Sequence, residues 1–205
     1  MKILIVAATK EEISVLEDIK DSSHILDFLI SGPGMVSTAY ELTLKLSTNR
    51  YDLAINCGIA GSFDRSISMG EVVSVKHDIF SELVVEDGDK FLSLSEAGLQ
   101  GKDSFQNSFK IMDSSNLHLK EVRGITVNTV HGNESSILKV INRCNPQIET
   151  MEGAAFFFVC EKENIPSLQF RAISNYVEKR NRDIWNIPLA LRNLKAALEN
   201  LLSSL

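Results

Sequence analysis

The sequence predicts an α/β protein, a three-layer α/β/α sandwich around a mixed central sheet. Two apolar runs, residues 3–8 and 53–57, lack alternation of polar and apolar positions, which is typical of strands buried on both faces of a largely parallel sheet. The chain ends in an amphipathic stretch with leucines at helical spacing, so helices are expected to cover the sheet. A length of 205 residues fits one domain, residues 1–205, with a substantial core.

The first quarter of the chain predicts two strand–helix units. Residues 3–8 form the first strand, and a helix follows from about residue 10. Residues 27–31 form a second short strand, which a glycine and proline turn at residues 32–34 joins to a helix over residues 36–46. Open α/β sheets place ligands beyond the carboxyl ends of their strands, so the start of the first helix is a candidate site position.

The middle of the chain predicts a third buried strand and then less regular structure. The strand at residues 53–57 runs into small residues at 58–62, which we interpret as a turn that lets backbone N–H groups approach a ligand. Residues 70–85 alternate only in part and predict curved strands. Residues 86–116 are polar, and we interpret them as a variable excursion without an assigned structure.

The last part of the chain returns to alternating strands and helices. Strands are predicted at residues 124–130 and 167–174, and helices at residues 135–141, 151–163 and 186–205. The second of these helices would begin at Met151, and the second strand leads directly into Asn175.

The charge balance and the apolar runs exclude two classes of partner. The formal net charge is −6 at pH 7, and Lys and Arg do not cluster into a stripe, so the surface would repel phosphate backbones. The longest apolar stretch beyond the first strand, residues 154–160, is far shorter than the roughly 20 residues that cross a bilayer. We therefore expect neither nucleic acid nor a membrane as a partner.

The cysteines and histidines give no sign of a metal centre. The three cysteines contain no C-x-x-C pair, which favours reduced thiols in a cytoplasm. The four histidines lack the spacing of metal ligands and are interpreted as structural: His24, His77, His118 and His131. We expect neither a metal nor a cofactor.

Two segments in the second half of the chain combine acidic, small and amide side chains. Glu152 follows Met151 and precedes small residues at 153–155, an odd place for a merely solvated charge. Asn175 ends a strand further along the chain. A carboxylate with spare acceptor sites can bind both hydroxyls of a sugar, and an amide can pair with a donor and an acceptor on a base edge. Together the two segments predict a nucleoside site.

These segments resemble the purine nucleosidase and phosphorylase superfamily. Within it, Asn175 and residues 180–186 are most similar to the futalosine hydrolase family, whose members release hypoxanthine from futalosine in a menaquinone pathway. The resemblance implies a nucleoside phosphorylase-like fold, a cofactor-free hydrolase in the cytoplasm and a homodimer. The chain departs from the superfamily at Thr150, where a second glutamate often precedes the methionine.

The resemblance also implies a role for each candidate residue. Glu12 matches the catalytic glutamate, which acts as general base on the attacking water; the alternative is an exposed first-turn glutamate favoured by the helix dipole. Glu152 would bind the ribose hydroxyls. Met151 would pack against the ribose, although an ordinary core methionine is an equal interpretation. Further substrate contacts are expected from Gly58, Ala60, Gly61 and Ser174.

The prediction of the substrate rests on Asn175, which would also have a catalytic role through its contact with the leaving base. Its NH₂ can donate to O6 of hypoxanthine while its carbonyl accepts N7–H, so a 6-oxopurine is the better partner; the alternative is a turn residue at a strand end. Arg180, Arg182 and Trp185 are candidates for the aromatic carboxylate of futalosine, because a guanidinium pairs with a carboxylate and an indole stacks. A solvated loop with one buried Trp is the alternative for these three residues.

Three other functions remain open from the sequence. A methylthioadenosine or S-adenosylhomocysteine nucleosidase is disfavoured by Asn175, because Asp stands at the matching position in those enzymes. A phosphorylase acting on inosine-like substrates is disfavoured by the few arginines before Arg123, since phosphate needs several cations. A purine-binding protein without activity is disfavoured by the presence of both Glu12 and Glu152.

Overall fold

The computed structural model describes residues 1–88, 90–111 and 119–205 of the chain. The strands are β1 Lys2–Ala7, β2 Ile25–Ile30, β3 Leu53–Ser62, β4 Val72–Phe80, β5 Val85–Asp87, β6 Lys90–Leu92, β7 Ser104–Gln106, β8 Lys120–Thr126, β9 Ile148–Thr150 and β10 Ser167–Tyr176. The helices are α1 Lys10–Leu16, α2 Met35–Thr48, α3 Glu134–Cys144, α4 Gly153–Glu163 and α5 Ile187–Leu202, with a 3₁₀ helix at Arg182–Ile184. None of these helices is both long and apolar enough to cross a membrane.

Eight of the described strands form one mixed sheet, as the sequence predicts. β1 pairs in parallel with β2 and β3, and β3 pairs in parallel with β10. β10 continues to β4, β4 to β8 and β8 to β9, and β9 pairs back onto β3. These five strands therefore close a ring, while β1 and β2 extend from it as an open edge. Among the described strands, β7 pairs only with β4, and β5 and β6 form a separate hairpin.

Helices cover both faces of the sheet, which gives the predicted three layers. On one face, Leu16 of α1 and Leu194 of α5 share a buried cluster with alternate residues of β1. On the other face, Leu42 of α2 and Phe156 of α4 pack with the remaining residues of β1. β1 is therefore buried on both sides, as its unbroken apolar run predicts. The predicted fold class is confirmed.

The predicted turn at residues 58–62 is wrong, because β3 continues through it to Ser62. Parallel pairing with β10 holds these residues along one side, and β9 pairs with Gly61 and Ser62 on the other. The small side chains of this segment do not bend the chain. They leave room on the sheet for larger side chains from the neighbouring strands and helices.

Several predicted boundaries also shift at the site. α4 begins at Gly153 rather than Met151, with Glu152 in the N-cap position. β10 contains a bulge, since its pairing register with β3 shifts between Ile173 and Asn175. The polar stretch 86–116 contributes short strands rather than an irregular excursion. Residues 89 and 112–116 of that stretch, and His118, lie outside the described residues.

Candidate active site

A cavity of about 300 Å³ opens at the carboxyl ends of β1, β3 and β10, the edge where α/β sheets bind ligands. Most of the candidate residues lie on its wall: Glu12, Ala60, Gly61, Met151, Glu152, Ser174, Asn175, Arg180 and Trp185. Gly58 and Arg182 are not part of the wall. Within the part of the chain that the structure describes, no three His, Cys, Asp or Glu side chains cluster as metal ligands would.

Glu12 is fixed at the start of α1 by a capping box with Thr9. One carboxylate oxygen, Oε2, accepts hydrogen bonds from the backbone N–H and the hydroxyl of Thr9, each at 3.0 Å. The other, Oε1, accepts from the Ile59 N–H at 3.0 Å. The side chain is buried, so the alternative of an exposed first-turn glutamate is wrong. A carboxylate has about four acceptor sites, which leaves one on Oε1 for a ligand in the cavity.

Gly58 lies behind Glu12 and supports it by having no side chain. A Cβ at this position would lie 2.7 Å from Oε1 of Glu12 and 2.5 Å from Nη1 of Arg171. Both distances are shorter than real Cβ contacts, so the carboxylate and the guanidinium occupy the space that a side chain would need. Gly58 therefore packs against the catalytic candidate and is not itself on the cavity wall.

Glu152 is buried at the N-cap of α4, yet its side chain makes no capping hydrogen bond to its own helix. Instead, Oε1 accepts from the Gly34 N–H at 3.1 Å, and Oε2 lies 3.7 Å from Nη1 of Arg171. Burial raises the pKa of the Glu152 carboxyl, and the positive charge of Arg171 opposes that shift. Met151, which precedes Glu152, is half-buried on the cavity wall, so it is not an ordinary core methionine.

Arg171 is a residue of the site that our sequence analysis gave no role. It is 1% exposed; its Nε donates to Gln169 Oε1 at 2.9 Å, and its Nη2 donates to Asn56 Oδ1. With the Glu152 contact, the guanidinium joins β10 to β3 and to the start of α4. The signal in the sequence was a Gln and an Arg within an otherwise apolar strand, since such groups are buried only when they have partners.

Asn175 presents its amide to the cavity in a fixed orientation. Its Nδ2 donates to the Tyr176 carbonyl at 3.1 Å, and its Oδ1 accepts from the Ser174 hydroxyl at 2.8 Å. A carbonyl oxygen can only accept, so the contact with Tyr176 decides which end of the amide is the nitrogen. One N–H and one lone pair remain free for a ligand.

Glu149 and His131 form a second pair on the same cavity wall. Glu149 Oε1 accepts from the His131 backbone N–H at 3.1 Å, and Oε2 lies 2.7 Å from His131 Nδ1. Burial raises the pKa of the Glu149 carboxyl, and its hydrogen bonds with His131 oppose the shift. The interpretation of His131 as a merely structural histidine is therefore incomplete. No motif marked this pair, because it is formed between a loop and a short strand.

The outer part of the cavity carries an arginine beside an indole. The guanidinium carbon of Arg180 lies 5.6 Å from the centre of the Trp185 ring, and both residues are on the wall. The guanidinium carbon of Arg182 lies 5.7 Å from the centre of the same ring; Arg182 is exposed, as Arg180 is, but it is not on the wall. Trp185 is itself only half-buried, so it is not the buried Trp of the alternative interpretation. Of the two arginines, Arg180 is the one positioned to meet a ligand.

Comparison with known proteins agrees with this arrangement. The profile of the phosphorylase superfamily matches residues 28–203. The chain belongs to this superfamily. Among its relatives there, the futalosine hydrolase of Thermus thermophilus is 28% identical over 182 residues, 86% of this chain and 80% of the relative. The futalosine hydrolase of Acidothermus cellulolyticus is 27% identical over 178 residues, 83% of this chain and 72% of the relative.

Solved structures show the same superfamily fold over the whole chain. The 5′-methylthioadenosine/S-adenosylhomocysteine nucleosidase of Helicobacter pylori, solved with butyl-thio-DADMe-Immucillin-A, superposes with a TM-score of 0.86 at 16% identity, covering 100% of this chain and 99% of that one. The futalosine hydrolase of Helicobacter pylori strain 26695 gives 0.83 at 16% identity, with 100% and 98% covered. The expected nucleoside phosphorylase-like fold is confirmed.

The position of Glu12 generates the first prediction. Glu12→Gln should fold normally, because glutamine also completes a capping box, but an amide cannot take a proton from water. We expect kcat for nucleoside cleavage to fall about 10²–10⁴-fold, the usual loss when a general base is removed. Glu17→Gln, which changes an exposed carboxylate after the same helix, is the matched control. A Glu12→Gln protein that keeps more than about a tenth of the wild-type kcat would exclude this role.

Proposed function

We propose that this protein hydrolyses the N-glycosidic bond of futalosine, releasing hypoxanthine and leaving dehypoxanthine futalosine. The convergence of Glu12, Glu152 and Asn175 on one cavity carries the proposal. Cleavage of this bond requires a base for water, a hold on the sugar as it gains positive charge and a partner for the departing purine. The two relatives named futalosine hydrolase, each aligned with more than four fifths of this chain, support the choice of substrate.

Glu12 supplies the base in this reaction. Three hydrogen bonds from Thr9 and Ile59 hold its carboxylate in place, so it needs no reorganisation when it accepts a proton. The water oxygen bonds to the anomeric carbon while the bond between that carbon and the purine nitrogen breaks, and the electron pair of that bond leaves with the purine. One water proton passes to Glu12, and the purine takes up a proton at N7 from solvent. The positive charge of the Arg171 guanidinium, which lies beside the Glu12 carboxylate, offsets the negative charge of that carboxylate.

Glu152 holds the sugar. Its side chain has turned away from its own helix, and one hydrogen bond and one ion pair leave acceptor sites free on the carboxylate. Hydrogen bonds from the ribose 2′- and 3′-hydroxyls would strengthen as the ring gains oxocarbenium character. Met151, on the wall next to Glu152, is placed to pack its thioether against the sugar face.

Asn175 receives the departing base. Its free N–H suits the O6 acceptor of hypoxanthine, and its free lone pair suits N7–H once the base is protonated there. The Tyr176 carbonyl opposes a flip of the amide, so the same side chain matches a 6-aminopurine less well. The hydrogen-bond pattern around Asn175 therefore supports a 6-oxopurine.

The outer part of the cavity suits the aromatic carboxylate of futalosine. Arg180 offers a charged donor for the carboxylate, and the Trp185 ring beside it offers a flat apolar surface. Arg182 lies over the Trp185 ring. Its proposed role is therefore to support the indole and not to contact the substrate.

Water suits the nucleophile position better than phosphate does. An anion next to the anomeric carbon would face the carboxylates of Glu12 and Glu152, and Arg171 already has partners. The cationic side chains on the described cavity wall, Lys179 and Arg180, both follow β10 and are placed at the outer part. A phosphorylase would need several cations at the inner end.

We further propose a homodimer located in the cytoplasm. α2 starts at the cavity, where Gly34 contacts Glu152, and carries an exposed apolar stripe at helical spacing: Val36 81%, Tyr40 62% and Leu44 48% exposed. Such a stripe is suited to an isologous contact between two copies of the chain. The three cysteines are free thiols, which a reducing compartment would maintain.

The second prediction tests the reaction and its substrate together. Incubated with futalosine in phosphate-free buffer, the protein should release hypoxanthine and a free reducing sugar, and added phosphate should not change the products. Inosine and methylthioadenosine should be cleaved more slowly, because neither carries a carboxylate for Arg180. Chromatography of the products decides the matter: a sugar 1-phosphate would identify a phosphorylase, and faster cleavage of methylthioadenosine would reassign the substrate.

The third prediction concerns the base. Asn175→Asp should move the preference from futalosine toward its 6-amino analogue, because an ionised carboxylate opposes O6 but accepts from a 6-amino group. We expect the ratio of kcat/KM for the two substrates to shift by at least about tenfold, a modest part of what a mismatched polar edge can cost. Asn181→Asp, which adds the same charge elsewhere on the cavity wall, should leave the ratio unchanged. An unchanged ratio in Asn175→Asp would show that Asn175 does not read position 6.

The fourth prediction concerns the assembly. Tyr40→Asp places a charge in the middle of the exposed α2 stripe and should convert a dimer to a monomer in light scattering coupled to size-exclusion chromatography. Ile25→Asp, which changes an apolar residue that is 67% exposed on the edge strand β2, serves as the control and should remain dimeric. A wild-type monomer would contradict the homodimer itself, and a dimeric Tyr40→Asp would move the interface away from α2.

A further inference from the structure

Asp78 is a fully buried carboxylate that lies outside the cavity wall and has no role in the reaction described above. It belongs to β4, and each of its oxygens accepts a hydrogen bond from a buried side chain. Gln169 Nε2 donates to Oδ2 at 3.0 Å, and the Thr126 hydroxyl donates to Oδ1 at 2.8 Å. Burial raises the pKa of Asp78 to about 6, and these two hydrogen bonds oppose the shift. At neutral pH Asp78 is therefore an anion that only accepts.

A first chain of hydrogen bonds leads from Asp78 to Arg171. A glutamine amide has a donor end and an acceptor end, and its partners decide which way each end faces. Because Asp78 only accepts, the NH₂ of Gln169 faces Asp78, and Oε1 is left to accept from Arg171 Nε at 2.9 Å. A reversed amide would place its NH₂ against the guanidinium. The same guanidinium lies 3.7 Å from Glu152 Oε2, so this chain ends at the side chain of Glu152.

A second chain leads from Asp78 to the backbone at the start of α4. The Thr126 hydroxyl donates its hydrogen to Asp78, so its oxygen is left to accept from the Ala154 N–H at 2.7 Å. Gly153 lies directly against the same layer, since a Cβ there would be 2.1 Å from Asp78 Oδ2. Glu152 is the N-cap of this helix. The second chain therefore holds the main chain of the residue whose side chain the first chain holds.

The two chains restrain the position of the Glu152 carboxylate from two directions. Arg171 contacts its oxygen Oε2, and the layer beneath α4 fixes the backbone from which the side chain starts. A displacement of about 1 Å in the groups that position a substrate can cost about 10²-fold in rate. Asp78 does not line the cavity, so a contribution to the reaction has to come through the position of Glu152.

We propose that Asp78 is a positioning residue for nucleoside cleavage, acting through Gln169 and Thr126 to hold Glu152 where it binds the ribose. This inference rests on the proposed function and deepens it. The hydrogen bonds between Glu152 and the ribose hydroxyls strengthen as the sugar gains positive charge, so a displaced Glu152 loses transition-state binding more than substrate binding. The loss should therefore appear in kcat and leave KM nearly unchanged.

Asp78→Asn is the first variant, because it keeps the shape of the side chain and replaces one acceptor with a donor. The new NH₂ must face either Gln169 or Thr126, and both donate to this position in the wild type. One buried hydrogen bond is lost, and Arg171 loses a nearby negative charge. We expect kcat for futalosine to fall at least about tenfold, within the range for a buried group left unpaired, with little change in KM.

The decisive variant combines Asp78→Asn with Gln169→Glu, which exchanges the carboxylate and the amide. The carboxylate at position 169 can accept from Arg171 Nε with one oxygen and from the amide at position 78 with the other, while the amide oxygen at position 78 still accepts from Thr126. Both chains are then complete again, and the net charge equals that of the wild type. We expect kcat to return toward the wild-type value. Two substitutions that only destabilised the fold would instead add their losses.

Asp27→Asn is the matched control. Asp27 accepts from the Tyr51 hydroxyl and pairs with Lys45, so this substitution also breaks the contacts of a carboxylate on the sheet. It lies in β2 and is not on the cavity wall. Thermal unfolding should occur at a lower temperature in both Asp27→Asn and Asp78→Asn, but kcat per folded molecule should fall only in Asp78→Asn.

The outcomes separate this inference from the proposed function. A wild type that cleaves inosine or methylthioadenosine but not futalosine would overturn the choice of substrate, and the same variants assayed on the cleaved nucleoside would still decide the role of Asp78. A wild type that cleaves none of the three would overturn both. An unchanged kcat in Asp78→Asn, or a double variant no more active than that single one, would overturn the role of Asp78 alone.

A further variant decides the matter if Asp78→Asn does not fold. Gln169→Met cuts the chain between Asp78 and Arg171 while it keeps both charges and a side chain of similar length. It should lower kcat in the same way, with little change in KM. An unchanged kcat in Gln169→Met would overturn the role of Asp78.

Discussion

The whole site depends on one buried positive charge, the guanidinium of Arg171. It contacts Asn56 on β3, Gln169 on its own strand and Glu152 at the start of α4, and it lies next to Glu12. A buried ion left without its partner costs about 3–5 kcal/mol, so the elements that supply these partners cannot move independently. The same positive charge makes it possible for the carboxylates of Glu12 and Glu152 to be buried at one cavity. Arg171 therefore fixes the geometry of the sheet and the electrostatics of the site at once.

A second polar layer beneath Arg171 explains the glycine that follows Glu152. Gln169, which accepts from Arg171, donates to Asp78 at 3.0 Å, and Asp78 also accepts from the Thr126 hydroxyl at 2.8 Å. That hydroxyl in turn accepts from the backbone N–H of the second residue of α4 at 2.7 Å. Burial raises the pKa of Asp78 to about 6. A Cβ on Gly153 would lie 2.1 Å from an Asp78 oxygen, so only glycine allows the helix to start here.

The sequence was sufficient for the layers of the fold and for bringing several candidate residues to one cavity wall, because both rest on local patterns. β1 is buried on both faces as its apolar run predicts, and Glu12, Glu152 and Asn175 lie at the ends of predicted elements and converge on one cavity. The turn at residues 58–62 was wrong, because small residues in a strand and in a turn look alike until the partner strand is known. Closure of the five-stranded ring and the network of Arg171 depend on contacts between residues far apart in sequence, which no local pattern reveals.

The pair of Glu149 and His131 was missed for the same reason. The position of Asn175 shows how strand register shapes the wall of the cavity. The bulge in β10 shifts the pairing by one residue between Ile173 and Asn175, and this shift brings Asn175 opposite Gly61. Side chains alternate between the faces of a strand. Without the shift in register, Ser174 would lie opposite Gly61, and the Asn175 amide would face away from the cavity. Ser174, displaced by the bulge, instead donates to the amide oxygen of Asn175 and helps to hold it. One irregular residue in a strand thus sets both the direction and the orientation of the Asn175 amide on the cavity wall.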